Sequence, residues 1–414
     1  MKLAVASLAL FLAAGAFARD TSDVPAVEAA LRDALFTRTS ADGVVYGRDE
    51  PDVLIWDWSL HLRSEPSLSK ALAALDEFNA RHLAKKIKDP VRRVILQRDL
   101  WRLFDWTLRD AQPAGADPRA PEALRPRLAA AMQQLALDEK EISRLPHNLN
   151  SMGAFAGIAD FPRGLLDDSG AWIMLGADGD EGAAPQHMKS FDGHSAFLVV
   201  LRLPGGRAAT LDYLQALRDG IPAVTTDAIR DHPELGFPAD TVWALVRVLN
   251  VIDVAGSIRT TQVVESVQLR RYKVVLPPSE PPSLANVTRQ VQDTNELQLD
   301  RANLPALRAV RPNERQFHEP QFMGHGVDAF IPQGTLLTSA EIDKVKEPVL
   351  RACLQCHGPP GLQSIRSFAG FFNALAKPAN RPSRFEREAA FSVKWKEQQK
   401  DWQALRELWV RSPP

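Results

Sequence analysis

The chain has 414 residues, of which 45% are apolar and 24% charged. That is about two domains' worth of sequence at ~100–200 residues per domain, with enough apolar residues to build a packed core. Lys plus Arg number 50 and Asp plus Glu 51, giving a net charge of −1, so no basic excess recruits nucleic acid. Two cysteines exclude a disulfide-dense scaffold.

Lys2 is followed by an uncharged stretch, Leu3 to Ala18, that ends Ala16-Phe17-Ala18 before polar Arg19-Asp20-Thr21. This is the pattern of a secretory signal peptide over residues 1–18, too short to favour a stable span. No other segment approaches ~18 uninterrupted apolar residues, so no membrane span is expected after cleavage, and the mature protein is expected in the periplasm.

Residues 19–145 read as a helical region. Asp89-Pro90 is a helix start, because Asp caps and the missing N–H of Pro is harmless in the first turn. Val91, Val94, Ile95, Trp101, Phe104 and Leu108 follow at close to helical spacing. Pro113, Pro118, Pro121 and Pro126 are expected to interrupt the chain before a second helical run, Leu128 to Leu137.

Residues 146–276 read as a mixed region. Its first part is rich in Gly, Asp and Pro. Ala196 to Leu203 is a strand candidate, closed by Pro204-Gly205-Gly206, and Thr210 is a plausible cap for the helix that follows. Residues 241–275 read as a β-hairpin turning at Asp253–Ser257, with alternation on the second arm that predicts one buried and one wet face. His187-Met188 and Asp192-Gly193-His194 are read as loop groups rather than as a second site. Gly205-Gly206-Arg207 is read as a plain turn rather than an anion cradle.

Leu276 to Ser283, with four prolines, reads as a linker at 277–283, and residues 284–414 as a mainly α C-terminal module. The fold class expected is therefore α+β. Phe391, Trp395, Trp402, Leu405 and Trp409 share one face of a long terminal helix, a stripe better suited to core packing than to holding a cofactor.

Within the C-terminal region, Cys353-Leu354-Gln355-Cys356-His357 is C-x-x-C-H. Two thiols three positions apart can add to the two vinyl groups of one haem, and the adjacent imidazole can ligate its iron. A redox dithiol would follow a strand in a βαβ unit, whereas Glu341–Ala352 reads as helix. A zinc site would need a second pair of ligands, and no other cysteine is present. The motif resembles the haem-attachment site of c-type cytochromes. That resemblance implies one covalent haem c per chain, with Cys353 and Cys356 as the thioether residues and His357 as the proximal iron ligand. More faintly, the chain resembles exported bacterial proteins that pair a large N-terminal region with a C-terminal C-x-x-C-H.

Compact class I cytochromes take their second axial ligand from a methionine downstream. From Gly358 to Pro414 there is neither Met nor His. The distal position is then filled from upstream, from another chain, by Lys, by water, or left open. His325 and Met323 are the upstream candidates, with His318 a third. Residues 358–414 hold ten Lys or Arg against five Asp or Glu, which can steer an acidic redox partner or simply solvate a helix face.

Three functions remain open. The first is an electron carrier. The second is a peroxidase- or oxygenase-like haem enzyme with an open distal side, with His325 or Glu319 as acid–base group. The third is a haem-based redox or gas sensor. No G-x-S-x-G, H-E-x-x-H or P-loop pattern points to hydrolysis or nucleotide use.

Overall fold

A computed structural model describes residues 26–47, 61–62, 65–108, 120–149, 164–177, 182–220, 237–273, 292–311, 313–316, 335–348 and 379–411. The fold is mixed α+β. Helices α1 (Ala26–Leu35), α2 (Ser67–Ala80), α3 (Pro90–Trp106), α4 (Ala120–Leu135) and α5 (Glu139–Ser143) fill the expected helical region. A small hairpin, β1 (Arg38–Thr39) with β2 (Val45–Tyr46), interrupts it. Helix α3 starts as expected, with the Asp89 carboxylate accepting from Val91 N at 2.8 Å and Pro90 in the first turn.

Pro126 does not break the chain. It sits inside α4, which runs from Ala120. Its ring is exposed there, on the side where the carbonyl it leaves unpaired can be hydrated.

A seven-stranded antiparallel sheet follows, in the order β11-β3-β4-β5-β6-β7-β8. Its strands are β3 (Ile173–Ala177), β4 (Ser195–Arg202), β5 (Thr241–Ile252), β6 (Ile258–Tyr272), β7 (Gln292–Leu299), β8 (Leu307–Ala309) and β11 (Ala379–Pro382). The strand expected at 196–203 is β4, and the hairpin expected at 241–275 is β5–β6. The hairpin closes with Asp253 N donating to Ser257 O at 2.9 Å and Ser257 N to the Asp253 carboxylate at 2.8 Å.

Both faces of the hairpin are largely buried, with Arg259 and Gln262 of β6 exposed near the turn. Successive residues of β4 alternate between two cores: Leu198 and Val200 join Val91, Val94 and Ile95 on one side, and Phe197, Val199 and Leu201 join Leu214, Leu217 and Met188 on the other. The second core is closed by α6 (Pro185–Ser190) and α7 (Gly206–Gly220). Thr210 does not cap α7. It lies inside, its hydroxyl donating back to Gly206 O at 2.8 Å and accepting from Leu203 N at 3.0 Å.

Opposite β5, the register passes from Arg247↔Ser266 to Val248↔Val264, so Glu265 is an extra residue in a β-bulge. Asn148 supports the bulge, its amide bonding both Val264 O and Val264 N at 2.8 Å.

The expected boundary at 277–283 divides no sheet. Those residues lie outside the described ones, but the strands flanking them are neighbours, paired from Tyr272↔Gln292 to Ser266↔Gln298. Without β7 the outer edge of β6 would present unpaired backbone groups. Farther on, β11 pairs with β3 at the other edge. Residues 292–411 thus complete the sheet of the preceding region and are less purely helical than expected. The run expected to be helical from Glu341 to Ala352 holds α8 (Ser339–Val345) and then a two-residue strand, β10 (Glu347–Pro348), paired with β9 (Arg315–Gln316). Pro348 cannot continue a helix ladder.

The terminal amphipathic stretch is two helices, α9 (Phe385–Glu397) and α10 (Lys400–Arg411). Phe391 and Trp395 pack on the core under β4, whereas Trp402, Leu405 and Trp409 enter the core of α1 to α4. The tryptophan stripe is therefore packing, on two different cores. Gly256, at the β5–β6 turn with φ +76°, lies so close to Trp409 that a Cβ would meet the indole at 2.8 Å. Among the described residues no helix is long and apolar enough to cross a membrane.

Trp402 is 2% exposed between α3 and α10. Trp402→Ala should lower unfolding free energy by about 3–5 kcal/mol in denaturant titration; a change below about 1 kcal/mol would contradict the packing described.

Candidate functional site

Cys353, Cys356 and His357, together with His318, Glu319, Met323 and His325, lie outside the described residues, as does the leader at 1–18. The structure describes the elements from which the two candidate stretches start. In the β9–β10 ladder Gln316 lies opposite Glu347 and Arg315 opposite Pro348. Arg315 Nε also donates to Lys346 O at 2.8 Å.

From that ladder, Met323 is seven residues along one strand exit and Cys353 five along the other. Extended chain covers at most about 25 Å and 18 Å over those counts.

The ladder is held from both sides. On one, Arg308 makes a two-bond contact with the Glu314 carboxylate at 2.7 and 2.9 Å. Burial raises the Glu314 carboxyl, but the bonds from Arg308, Arg311 N and Gln316 outweigh it and set its pKa at about 2. On the other, Thr338 and Glu341 form a capping box at the start of α8. There Asp42, on the β1–β2 turn, accepts from Ser339 N at 2.8 Å. Hydrogen bonds from Ser339, then Ser40, lower the Asp42 pKa to about 2. The N-terminal hairpin, α8 and the β9–β10 ladder therefore form one connected platform.

A second feature escapes sequence reading. Helix α3 is buried from Val94 to Trp106, and four of those residues, Arg98, Asp99, Arg102 and Asp105, are charged. Asp99 accepts from Arg32 of α1 at 2.7 Å and from both Nη atoms of Arg301 at 2.5 and 2.9 Å. Arg98 bonds the bulge residue Glu265, which also accepts from Ser195 Oγ at 2.6 Å. Burial alone would raise the Asp99 carboxyl; Arg301, Arg32 and Arg98 reverse this and hold it well below the ordinary range.

About two turns on, Asp105 bonds the buried Lys396 of α9, which also reaches Asp401 at 2.9 Å. His194 joins them, with Nε2 2.9 Å from Asp105 and Nδ1 3.0 Å from Phe191 O, its ring edge-on to Trp101 at 4.7 Å. Asp192 pairs with Arg102. Of the residues read as loop groups, His194 is fully buried and Asp192 half-buried beside it. His187 instead stacks on Phe197 at 5.6 Å, and Met188 is core.

Burial lowers the His194 pKa well below its usual value, and Lys396 and Arg102 lower it further. Burial thus favours the neutral ring. Nδ1 faces Phe191 O and Nε2 faces the Asp105 carboxylate, so a neutral ring donates to only one of these two acceptors. The cluster is mostly buried, with Asp192 and Asp401 at its margin, and its chemistry is charge balance between packed elements. No group of three or more His, Cys, Asp or Glu among the described residues is arranged to hold a metal ion.

The Gly205-Gly206-Arg207 turn begins α7 with Gly206 at φ +74°, and Arg207 donates to Gly170 O and Trp172 O. One of the ten downstream cations, Lys396, is internal and adds nothing to a surface field. No family model matches the chain, and no curated protein or solved structure matches it.

The neutral His194 gives stability a pH dependence. Its folded pKa lies below the unfolded value of about 6.5, so between the two the unfolded chain binds the extra proton. The contribution is complete above about pH 6.5 and declines as pH falls through the depressed folded value. His194→Gln should flatten this part of a stability-versus-pH profile while lowering stability at pH 8; an unchanged profile would contradict the assignment.

Proposed function

We propose that the chain is an exported mono-haem c-type cytochrome that binds one haem c covalently and passes electrons to a redox partner protein. The observation that carries this reading is Cys353-Leu354-Gln355-Cys356-His357, which contains both cysteines of the sequence. The donor set fits the group: two thiols at vinyl spacing and an adjacent imidazole. When bound, the haem supplies an iron that gains and loses one electron.

The chain's own part is attachment, ligation and recognition. Cys353 and Cys356 would hold the haem through thioether bonds, each S–H adding across one of its vinyl groups, and the His357 imidazole would ligate the iron. Met323 or His325 would supply a second ligand; Met would raise the potential and His lower it. The stretch with Met323 and His325 and the stretch with Cys353 leave the antiparallel two-residue β9–β10 ladder at opposite ends, and the seven and five residues that separate them from it are long enough for both to reach one haem. The Leu3–Ala18 leader supports export to the periplasm, on the side of the membrane where bacterial haem c is attached. Nine cations other than Lys396 against five carboxylates after residue 357 support an acidic partner.

A second reading is favoured by the absence of Met and His from Gly358 to Pro414: iron open on its distal side, in a peroxidase- or oxygenase-like enzyme or a gas sensor. The two readings differ in ligand access. Protein produced with a cytochrome c maturation system should retain its haem through acid–acetone extraction, and Cys353→Ala/Cys356→Ala should lose it. Equal extraction from both contradicts covalent attachment. In the electron carrier, ferrous protein should resist carbon monoxide, and either Met323→Ala or His325→Ala should make it reactive. Immediate carbon monoxide binding by the unaltered chain supports the open-iron reading.

A further inference from the structure

A cavity of 370 Å³ lies where β11 turns into α9, at the β3 edge of the large sheet. Its size falls in the range of small-ligand pockets, about 300–1,000 Å³. The apolar part is formed by Leu165, Leu166, Trp172 and Met174. The Arg202 guanidinium sits 4.9 Å from the Trp172 ring centroid and helps to fix the indole.

The polar groups of the lining carry both signs. Arg207 and Arg384 bring two positive charges, Asp167 and Asp168 two negative ones. Arg207 is held in place from behind: Nη1 donates to Gly170 O at 3.0 Å and to Trp172 O at 3.2 Å, leaving Nε and Nη2 as further donors. Asp167 is fixed through one oxygen, which accepts from Ser169 N at 2.9 Å and Ser169 Oγ at 2.8 Å. Arg384 and Asp168 are exposed at the rim. Arg207 acts through space on Asp167 and, after the Ser169 hydrogen bonds, helps to lower its pKa; among the described residues no direct ion pair joins the two guanidinium groups to the two carboxylates.

A fixed fork of donors, a fixed carboxylate and an apolar floor, made by half-buried Leu166 and the nearly buried Trp172 and Met174, meet in one small cavity. The charge balance selects the ligand. A phosphate or dicarboxylate would meet Asp167 and Asp168, and a simple amine would meet the two arginines. A molecule with one charge of each sign and an apolar body satisfies all of them.

We propose that this cavity binds a free α-amino acid with an apolar or aromatic side chain, its carboxylate on Arg207 and Arg384, its ammonium group on Asp167 and Asp168, and its side chain against Trp172 and Met174. The proposal is independent of the haem reading. It assigns a task to the β3 side of the sheet, where residues before the Pro-rich stretch meet Pro382–Arg384 from after it.

The test is calorimetric titration of the full-length chain with phenylalanine, alongside N-acetylphenylalanine, which lacks the ammonium charge, and phenylalanine methyl ester, which lacks the carboxylate. Phenylalanine should bind, and each derivative should bind at least about tenfold more weakly, a difference of about 1.4 kcal/mol. Arg384→Ala and Asp168→Asn alter exposed rim side chains, so they should keep the melting temperature while weakening phenylalanine about tenfold. Arg207→Met should abolish binding. No binding of phenylalanine or leucine at millimolar concentration overturns the proposal. So does equal affinity for the three phenylalanine compounds, or unchanged binding in both rim variants. Binding of N-acetylphenylalanine as tight as phenylalanine marks a plain carboxylate site and also overturns it.

Discussion

A helix buried on every side must pair every charge it carries, and α3 carries four charges within its buried span. Desolvating an unpaired ion costs several kcal/mol, and removing one partner of a buried pair about 3–5 kcal/mol. The partners therefore determine what surrounds α3. Arg32 comes from α1, Glu265 from the β6 bulge, Arg301 from the connection after β7, His194 from the approach to β4 and Lys396 from α9. Segments on both sides of the Pro-rich stretch are committed to one helix. Exchanging these pairs for apolar residues could leave stability unchanged. Their effect is to define which segments fit: a misplaced α9 would bury Lys396 without Asp105.

The legible parts of the fold were those with a local physical signature. Asp89-Pro90 announces α3 because capping is a short-range interaction, and β5–β6 announces itself by apolar runs on either side of a tight turn. What stayed hidden depends on distant partners. The alternation in β6 reads as one wet face, but helices cover both. Strand β7, Gln-Asp-Thr-Asn-Glu-Leu-Gln-Leu, lacks strand composition, and its buried Glu296 and Gln298 are affordable only because Gln298 bonds Glu296 at 2.8 Å and Gln316 at 3.2 Å. No periodicity in α3 distinguishes a buried Asp99 from a solvated one. The Pro-rich stretch resembles a linker by composition, and composition does not reveal that its two ends lead to adjacent strands.

The candidate haem site has the reverse character. Its signal is wholly local, five consecutive residues whose chemistry needs no tertiary context to be read. The described elements that precede it in the chain are braced: Glu314 by Arg308, β9 on β10, and α8 tied through Ser339 to Asp42. An axial ligand supplied from a separate stretch requires the two stretches to start from fixed and neighbouring points, and this platform provides such points. The chain then returns through β11 to the sheet and through α9 and α10 to the charge cluster. The chain on either side of the proposed haem stretch thereby belongs to the same folded body.

The central claim is covalent attachment at Cys353 and Cys356, and the most direct measurement is the intact mass of the denatured protein after production with a cytochrome c maturation system. The account predicts a gain of one haem over the leader-cleaved chain. A mass equal to the bare polypeptide, or lower by the two hydrogens lost when the cysteines join as a disulfide, would contradict it.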